Sequence, residues 1–503
     1  MKALTVPAMT VVALAMVTTA ATATSPWVGL APGPHPVGYT VLDVVDHSRT
    51  TGALTTWDGV RRESDNFRVV RISVWYPAVP PEGRPVMDYL EYVEAAGFAT
   101  AADGKWLSGA AAYIAHAVPD GVEESRLREV LASKTTAYRD APPRAGDFPM
   151  IVYAPSFSYE PFENAALFEY LAAHGYVVAS SRSSGPETRE MSSDHPGVEA
   201  SVRDLETILA ALHDFGHADL RRIGAAGFSW GGLSAAMLAM RNHNVRAVLA
   251  LDGTFEHADL PSVRKRWDFE PRRMRGGYLA IVGDRQPADS MAAEALYADF
   301  VELRYPALSH WDFASDMIRI YRHSRPEIAA ETVRWVDAAF GQVARQALLF
   351  FDGYLKDDSG KRAAFLAGGP EPADDGVVVE TLTSRAALPA PPSAAEFTLL
   401  LGHDVGKAVE LLDRVTATDP EIRLLDWSVV QDTITTSPFE TKLAILDLMG
   451  SRFGESSIYF NNLGQAWRLH GDADKALAYF RRALEHNPDS GFARRAIAEL
   501  EKE

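Results

Sequence analysis

A chain of 503 residues is too long for one ordinary domain, so its length predicts two. The formal net charge of −18 at pH 7 argues against nucleic acid as a partner and against docking on anionic lipid. The apolar fraction of 47% is that of a soluble globular protein. Cysteine is absent, which excludes disulfides, a thiol nucleophile and a thiolate zinc site.

The N-terminus, residues 1–23, has the pattern of a secretory signal peptide. Lys2 supplies the positive charge, residues 3–17 are apolar, and residues 21–23 (Ala-Thr-Ala) fit the small-residue cleavage pattern. Because the apolar stretch is short for a membrane span and contains Pro7, we expect cleavage and no stable membrane anchor. The expected location is secreted or periplasmic, and a retained anchor is the alternative.

Residues 24–367 have the pattern of an α/β catalytic domain. After strands at 41–45 and 67–77, a mostly helical segment at 85–140 is a candidate insertion that covers a pocket. Apolar strands then alternate with helices, which predicts a mostly parallel sheet covered by helices on both faces. Further strands are expected at 150–154, 176–180, 222–226, 245–251, 278–282 and 300–303, and helices at 164–174, 198–215, 232–240 and 345–355.

A Pro/Gly/Ala-rich stretch at 368–393 is typical of an interdomain linker. Residues 394–503 are predicted to form helical hairpins of the tetratricopeptide type, with one clear repeat and two degenerate ones. Such repeats suggest a protein partner or self-association, and an unrelated helical bundle is the alternative. The positions that agree in one register are Phe460, Leu463, Gly464, Trp467, Gly471, Ala476, Phe480, Ala483 and Pro488.

The most informative motif lies at residues 227–231, which are Gly-Phe-Ser-Trp-Gly and fit the G-x-S-x-G nucleophile elbow. A buried strand precedes the motif and a helix of small residues follows it. A serine on such a turn projects its hydroxyl above the sheet edge, and the flanking glycines permit the strained backbone. We therefore expect Ser229 to be the nucleophile of a hydrolase.

A serine nucleophile needs a base, usually a histidine oriented by a carboxylate, in the chain order serine, acid, histidine. His310 is the best candidate base because it follows a late strand. His257 and His323 are weaker candidates because neither follows one. Two acids, Asp252 and Asp284, end strands at the carboxyl edge of the sheet, where ligands bind in such folds. Spacing alone leaves both open.

Ser229, Asp252 and His310, with Val-Trp-Tyr-Pro at residues 74–77, resemble the platelet-activating-factor acetylhydrolase branch of the α/β-hydrolases. They are more loosely similar to dienelactone hydrolases, whose cysteine nucleophile this chain lacks. The resemblance covers residues 35–360 and implies an α/β-hydrolase fold. In that branch the acid ends the strand next to the elbow strand, so the resemblance favours Asp252 over the other acid.

The loop after the strand at 150–154 departs from the family pattern. Relatives usually carry His-Gly there, whereas this chain has Pro155, which has no N–H to offer. The N–H groups of Phe157 and Trp230 are then the expected oxyanion donors, and the loss of a donor would weaken catalysis. Aromatic residues near these positions either line an apolar substrate pocket or pack the core. They are Tyr159, Phe162 and Trp311.

These features predict an exported serine hydrolase that cleaves small-molecule or lipid-like carboxylic esters through an acyl-enzyme. An amidase or peptidase would use the same triad, and the sequence leaves that alternative open. A third hypothesis is a catalytically weak scaffold protein that acts through its C-terminal repeats. The sequence has no metal-ligand cluster, phosphate-binding loop or dinucleotide fingerprint, so no cofactor or metal is expected.

Overall fold

The computed structural model of the protein describes residues 30–61, 66–102, 105–117, 121–257, 260–284, 291–369 and 376–502. The predicted signal peptide lies outside these residues. The chain divides into two compact units, with the boundary between Leu388 and Pro389. Within the ranges given, no helix combines the length and the apolar character that a membrane crossing requires.

The first unit is built around a large sheet and a separate hairpin. Its strands are β1 (Val37–Thr50), β2 (Phe67–Pro77), β3 (Ala99–Ala102), β4 (Lys105–Ser108), β5 (Ala137–Arg139), β6 (Phe148–Ala154), β7 (Val177–Ser181), β8 (Ala218–Phe228), β9 (Val245–Leu251), β10 (Gly277–Val282), β11 (Asp299–Arg304) and β12 (Glu380–Arg385). The large sheet has ten strands in the order β12-β11-β10-β9-β8-β6-β7-β2-β1-β5, and β3 pairs with β4.

The strands from β6 to β11 run parallel to one another, whereas β2 joins β7, β1 joins β2 and β12 joins β11 in antiparallel pairs. The sheet is therefore mostly parallel, as predicted. Its parallel strands are buried along nearly their whole length, because helices cover both faces.

Two cores lie on opposite faces of the sheet. The helices of this unit are α1 (Tyr89–Ala95), α2 (Gly109–Ala117), α3 (Glu124–Leu131), α4 (Ala165–Ala173), α5 (His195–His213), α6 (Trp230–Arg241), α7 (Thr254–His257), α8 (Pro261–Arg264), α9 (Ser315–Ile318), α10 (Ala330–Leu355) and α11 (Ser359–Leu366). Ala226 and Phe228 of β8 pack in the core that includes α4 and α10, and Ala225 packs in the core that includes α5 and α6. The central strands are thus covered on both sides.

Three segments differ from the sequence-based expectation. The 85–140 segment contains α1, α2 and α3, but also the β3–β4 hairpin and β5, which extends the edge of the sheet. Helix α10 begins at Ala330 rather than at 345, because Val336, Phe340 and Val343 follow a helical period and are buried. The predicted linker contains β12, whose backbone groups pair with β11.

The second unit is entirely helical in the part that the structure describes. Its helices are α12 (Ala394–His403), α13 (Val405–Thr418), α14 (Trp427–Thr436), α15 (Phe439–Phe453), α16 (Ser457–His470), α17 (Ala473–His486) and α18 (Gly491–Leu500). Helices α16 and α17 approach closely at Gly464, where a Cβ would lie 2.7 Å from the ring of Phe480. Gly471, with φ of +91°, ends α16 in the left-handed conformation.

Candidate active site

Ser229 lies on the turn between β8 and α6, at the carboxyl edge of the sheet. Its φ of 54° and ψ of −118° are strained for a residue other than glycine. Its N–H donates to the carbonyl oxygen of Leu251 at 3.0 Å, and its own carbonyl oxygen accepts from the N–H groups of Gly232 and Thr254, each at 3.0 Å. These bonds tie the turn to the end of the neighbouring strand β9.

The two glycines of the motif are required by close approach. A Cβ on Gly227 would lie 2.2 Å from the carbonyl carbon and oxygen of Gly231. A Cβ on Gly231 would lie 1.8 Å from the carbonyl oxygen of Ala154, the last residue of β6. The start of α6 therefore packs directly on the backbone that leads into the β6–α4 loop.

The structure brings Ser229, His310 and Asp252 together. His310 lies on a helical turn, His310–Phe313, that follows β11. Its Nδ1 hydrogen-bonds to Oδ2 of Asp252, and its Nε2 lies 3.1 Å from Oγ of Ser229. Because a carboxylate only accepts, Nδ1 carries the proton, and Nε2 accepts from the Ser229 hydroxyl. A serine nucleophile, a base and an orienting acid would need a hydrogen-bond chain of this kind.

Asp252 is held in place by its backbone and side chain. It follows β9 with φ of 40°, and its N–H donates to the carbonyl oxygen of Ile281 at 2.6 Å. Its Oδ1 accepts from the N–H of Gly283 at 3.1 Å. The carboxylate is buried, so one oxygen is left to face the imidazole of His310.

The weaker candidates lie elsewhere. Asp284 has an exposed side chain and follows β10, where its N–H donates to the carbonyl oxygen of Leu308 at 2.9 Å. His323 Nε2 lies 3.0 Å from Oδ1 of Asp337, in a pair separate from the triad. The side chain of His257 lies outside the described residues.

The two predicted oxyanion donors lie on neighbouring backbone segments. Trp230 begins α6, and Phe157 lies in the β6–α4 loop, with its ring 5.6 Å from the ring of Trp230 in an edge-to-face contact. Pro155 has no N–H, and the N–H of Ser156 is used by Glu163. Among the described residues, none accepts a hydrogen bond from the N–H of Phe157 or Trp230. The two N–H groups are thus unused within the part of the chain that the structure describes.

The predicted pocket residues have different environments. The ring of Trp311 is 52% exposed and lies 5.5 Å from the ring of His310. Tyr159 is partly buried, and its hydroxyl donates to Oδ2 of Asp316 at 2.5 Å. Phe162 is fully buried, in edge contact with the ring of Tyr89, so the structure places it in the core rather than on a pocket surface.

A buried polar network behind the site was not predicted from the sequence. Glu163, fully buried two residues before α4 begins, accepts hydrogen bonds from Ser156 and from the Tyr153 hydroxyl. Burial raises the pKa of Glu163 to about 8, although the donors Ser156 and Tyr153 lower it and the charge of Asp316 raises it further. Burial therefore favours the protonated form of this carboxyl, and the surrounding donors oppose that shift.

Asp316 is the second buried carboxyl of this network. It follows the turn that carries His310 and accepts from the hydroxyls of Tyr89, Tyr113 and Tyr159. Burial raises the pKa of Asp316, while the three hydroxyls lower it. Glu163 and Asp316 each lie in a segment whose sequence shows no motif. The only local signal is a pair of polar residues, Glu163 and Asn164, at the start of a predicted apolar helix.

Comparisons with known proteins bear on both units. A family model described as tetratricopeptide repeat matches residues 457–490, which include α16 and α17. The predicted tetratricopeptide repeat is therefore confirmed in this part of the chain. Among solved structures, a ferulic acid esterase from Streptomyces cinnamoneus is similar, with 23% identity, a TM-score of 0.48, and coverage of 71% of this chain and 99% of that chain. No curated protein matches the chain at a significant level.

Proposed function

We propose that the protein is a serine hydrolase that cleaves carboxylic esters, with the first unit an α/β-hydrolase domain. The observation that carries the proposal is the hydrogen-bond chain from Ser229 through His310 to Asp252, on a strained turn at the carboxyl edge of a parallel sheet. This order of groups and this strand–turn–helix setting are those of the nucleophile elbow. The resemblance to the platelet-activating-factor acetylhydrolase branch is part of the proposal.

In the proposed first step, Oγ of Ser229 attacks the carbonyl carbon of the ester, and its proton passes to Nε2 of His310. The new C–O bond turns the carbonyl into an oxyanion, which the N–H groups of Trp230 and Phe157 bind. His310 then gives the proton to the leaving alcohol, and the acyl-enzyme forms. Asp252 keeps the imidazole in the required tautomer and balances its positive charge.

In the second step, water takes the place of the alcohol. His310 removes a proton from the water as it attacks the acyl carbon. As the tetrahedral intermediate collapses, the Oγ–C bond breaks, His310 returns the proton to Oγ of Ser229, and the carboxylic acid leaves. The exposed rings of Phe157 and Trp311 flank the nucleophile and the base, which suits an ester with an apolar or aromatic group.

The direct test is labelling of the mature protein with a fluorophosphonate, read by intact mass and peptide mapping. We expect a single adduct on Ser229 and hydrolysis of p-nitrophenyl esters, both lost in Ser229→Ala. Ser234→Ala is the matched control, since Ser234 lies on α6, directly after the turn that carries Ser229, and bonds to the Ser201 hydroxyl. Full esterase activity in Ser229→Ala would exclude this mechanism.

We further propose that the protein is exported after removal of residues 1–23, and that the C-terminal repeats bind a protein partner or a second copy. The tetratricopeptide match at 457–490 supports a capacity for protein interaction. Intact mass of the natural protein should give Thr24 as the first residue. Light scattering of the mature protein would separate self-association from a monomer that awaits another partner.

A further inference from the structure

We propose that Glu163 is a positioning residue, which holds the N–H of Phe157 in the direction that the oxyanion requires. The proposal rests on the function proposed above, and it concerns how the loop between β6 and α4 is held rather than which residues react. Glu163 is buried beneath that loop and acts through Ser156.

Glu163 binds Ser156 at both its backbone and its side chain. The Ser156 N–H donates to Oε1 and Oε2 of Glu163, at 3.2 and 3.0 Å, and the Ser156 hydroxyl donates to Oε1. The Ser156 carbonyl oxygen accepts from the N–H of Tyr159 at 3.1 Å. Because this carbonyl belongs to the same planar peptide group as the N–H of Phe157, these bonds fix the direction of that N–H.

Glu163 is itself held by a relay of donors. The Tyr153 hydroxyl donates to Oε2 of Glu163 at 2.9 Å, and its oxygen accepts from Nδ2 of Asn164 at 2.7 Å. Glu163 and Asn164 are both fully buried, so water cannot replace the bonds to Ser156. These bonds hold the Glu163 carboxyl in one orientation, and the carboxyl in turn holds the β6–α4 loop in one conformation.

The same two residues also hold the turn that carries the base. Nδ2 of Asn164 donates to the carbonyl oxygen of Phe313 at 3.0 Å, and Oδ1 of Asn164 accepts from the N–H of Ser315 at 2.8 Å. The carbonyl oxygen of Glu163 accepts from the N–H of Asp316 at 2.9 Å. Phe313 ends the helical turn that begins at His310. Glu163 and Asn164 therefore hold both this turn and the β6–α4 loop that carries Phe157, which we call the oxyanion loop.

The protonation state of Glu163 suggests which substitution should be tolerated. Burial raises the pKa of Glu163 to about 8, so the protonated form counts at neutral pH. In that form Oε1 still accepts from Ser156, while the O–H at Oε2 donates to the Tyr153 hydroxyl oxygen instead of accepting from it. Glutamine offers an acceptor oxygen and a donor in the same volume. Alanine offers neither, and it would leave the Ser156 N–H without a partner.

The experiment compares Glu163→Ala and Glu163→Gln, with Glu169→Ala as the matched control. Glu169 lies on α4, which begins two residues after Glu163, and is also buried, but it accepts from the Tyr92 hydroxyl at 3.0 Å and the Thr136 N–H at 2.7 Å, away from the oxyanion loop. kcat and KM for a p-nitrophenyl ester are measured per active site, after titration of Ser229 with a fluorophosphonate, so that unfolded molecules do not count.

We expect kcat to fall ~100-fold in Glu163→Ala while KM changes less than ~3-fold, since a small displacement of a transition-state donor has an effect of this size. Glu163→Gln should restore kcat to within ~10-fold of wild type, and Glu169→Ala should keep wild-type kcat per site. A kcat in Glu163→Ala no lower than in Glu169→Ala overturns the proposal, as does a change in KM alone.

If Glu163→Ala does not fold, Ser156→Ala tests the proposal instead. It removes the bond from the Ser156 hydroxyl to Glu163 and keeps the bonds from the Ser156 N–H. A kcat ~3- to 10-fold below wild type supports the proposal, and an unchanged kcat overturns it. A wild-type protein that neither hydrolyses esters nor labels at Ser229 fails the proposed function itself. That outcome is distinct from an active wild type in which Glu163 has no effect.

Discussion

The proposed nucleophile elbow, residues 227–231, and the proposed oxyanion loop, between β6 and α4, lie side by side, yet the protein holds them in different ways. The elbow is held by backbone contact, because Gly227 and Gly231 allow segments to approach where no side chain fits. The loop is held by buried side chains, above all Glu163, which binds Ser156. The glycines that permit the backbone contact belong to one short sequence motif, whereas the polar residues around Glu163 form no motif and only the folded chain brings them together.

The largest loss of stability and activity should come from Gly231→Ala, which disrupts the backbone contact between the elbow and the loop. The new Cβ would meet the carbonyl oxygens of Ala154 and Pro155, so the elbow and the loop must move apart. We expect destabilisation of more than ~4 kcal/mol and no measurable esterase activity. Thermal unfolding and fluorophosphonate labelling test this expectation.

Gly216→Ala is the control for that variant, because Gly216 has φ of +74° but open space around its Cβ. It should cost about 1 kcal/mol and leave activity unchanged. If Gly231→Ala behaved like Gly216→Ala, backbone contact would not be what holds the elbow.

The next largest loss of activity should come from Asp252→Asn, which changes neither the backbone contacts of the elbow nor the bonds from Glu163 to Ser156. Oδ1 would still accept from Gly283, so the new NH₂ group would face Nδ1 of His310 and force the proton onto Nε2. The base would then have the wrong tautomer, and kcat should fall ~10⁴-fold at nearly constant stability. Asp284→Asn, at the next strand end, should keep wild-type kcat, and the reverse result would assign the acid to Asp284.

The pH dependence of stability tests the bonds that Glu163 makes to the loop, because Glu163 is titratable and the backbone contacts of the elbow are not. In the unfolded chain Glu163 loses its proton near pH 4.5, whereas in the folded protein burial raises its pKa to about 8. Folding therefore binds a proton between these values, and stability falls as pH rises from 4.5 to 8. Glu163→Gln should flatten this slope by roughly 2 °C per pH unit in Tm.

Glu256, close to Gly253 on the elbow side, provides the comparison for that titration. Burial raises the pKa of Glu256 to about 7, although a hydrogen bond from the Tyr278 hydroxyl lowers it. Glu256→Gln should therefore flatten the slope only between pH 4.5 and 7. Equal slopes in wild type and both variants would contradict these assignments.

The smallest effect should come from Trp311→Ala. The ring is half-exposed and touches His310 and Tyr321, so its removal should leave Tm and kcat nearly unchanged. For an ester with a long or aromatic acyl group, we expect KM to rise ~3- to 10-fold, because apolar contact with the substrate is lost. Trp57→Ala, at a 98% exposed tryptophan between β1 and β2, should leave KM unchanged. An equal KM in Trp311→Ala and Trp57→Ala would show that Trp311 does not contact the substrate.

The sequence was informative where the structure is local. Apolar runs placed Ser229, Asp252 and His310 after predicted strands, and the structure brings these three residues together. The choice of Asp252 over Asp284 came from the family resemblance, because spacing left both acids open. The parallel strands were predicted because short apolar runs alternate with helical patterns along the chain. The clear tetratricopeptide repeat was predicted because its small and large residues recur at fixed positions.

The sequence was uninformative where burial depends on distant partners. Glu163 looks like any acidic residue at the start of a helix, and only the fold surrounds it with Tyr153, Ser156 and Asn164. Phe162 was a candidate for either the pocket or the core because it closely follows Phe157 in the sequence, and its ring lies in the core. Composition alone could not separate these environments.

Strand β12 has a consequence for where this chain can be shortened. It covers β11 through antiparallel pairing, and Arg385 binds the carbonyl oxygens of Ala295 and Leu296. A protein truncated at residue 367, at the end of the domain expected from the sequence, would expose the backbone of β11 as an open sheet edge. Open edges recruit strands from other molecules, so that truncation should aggregate, whereas one that ends at Leu388 should stay dispersed.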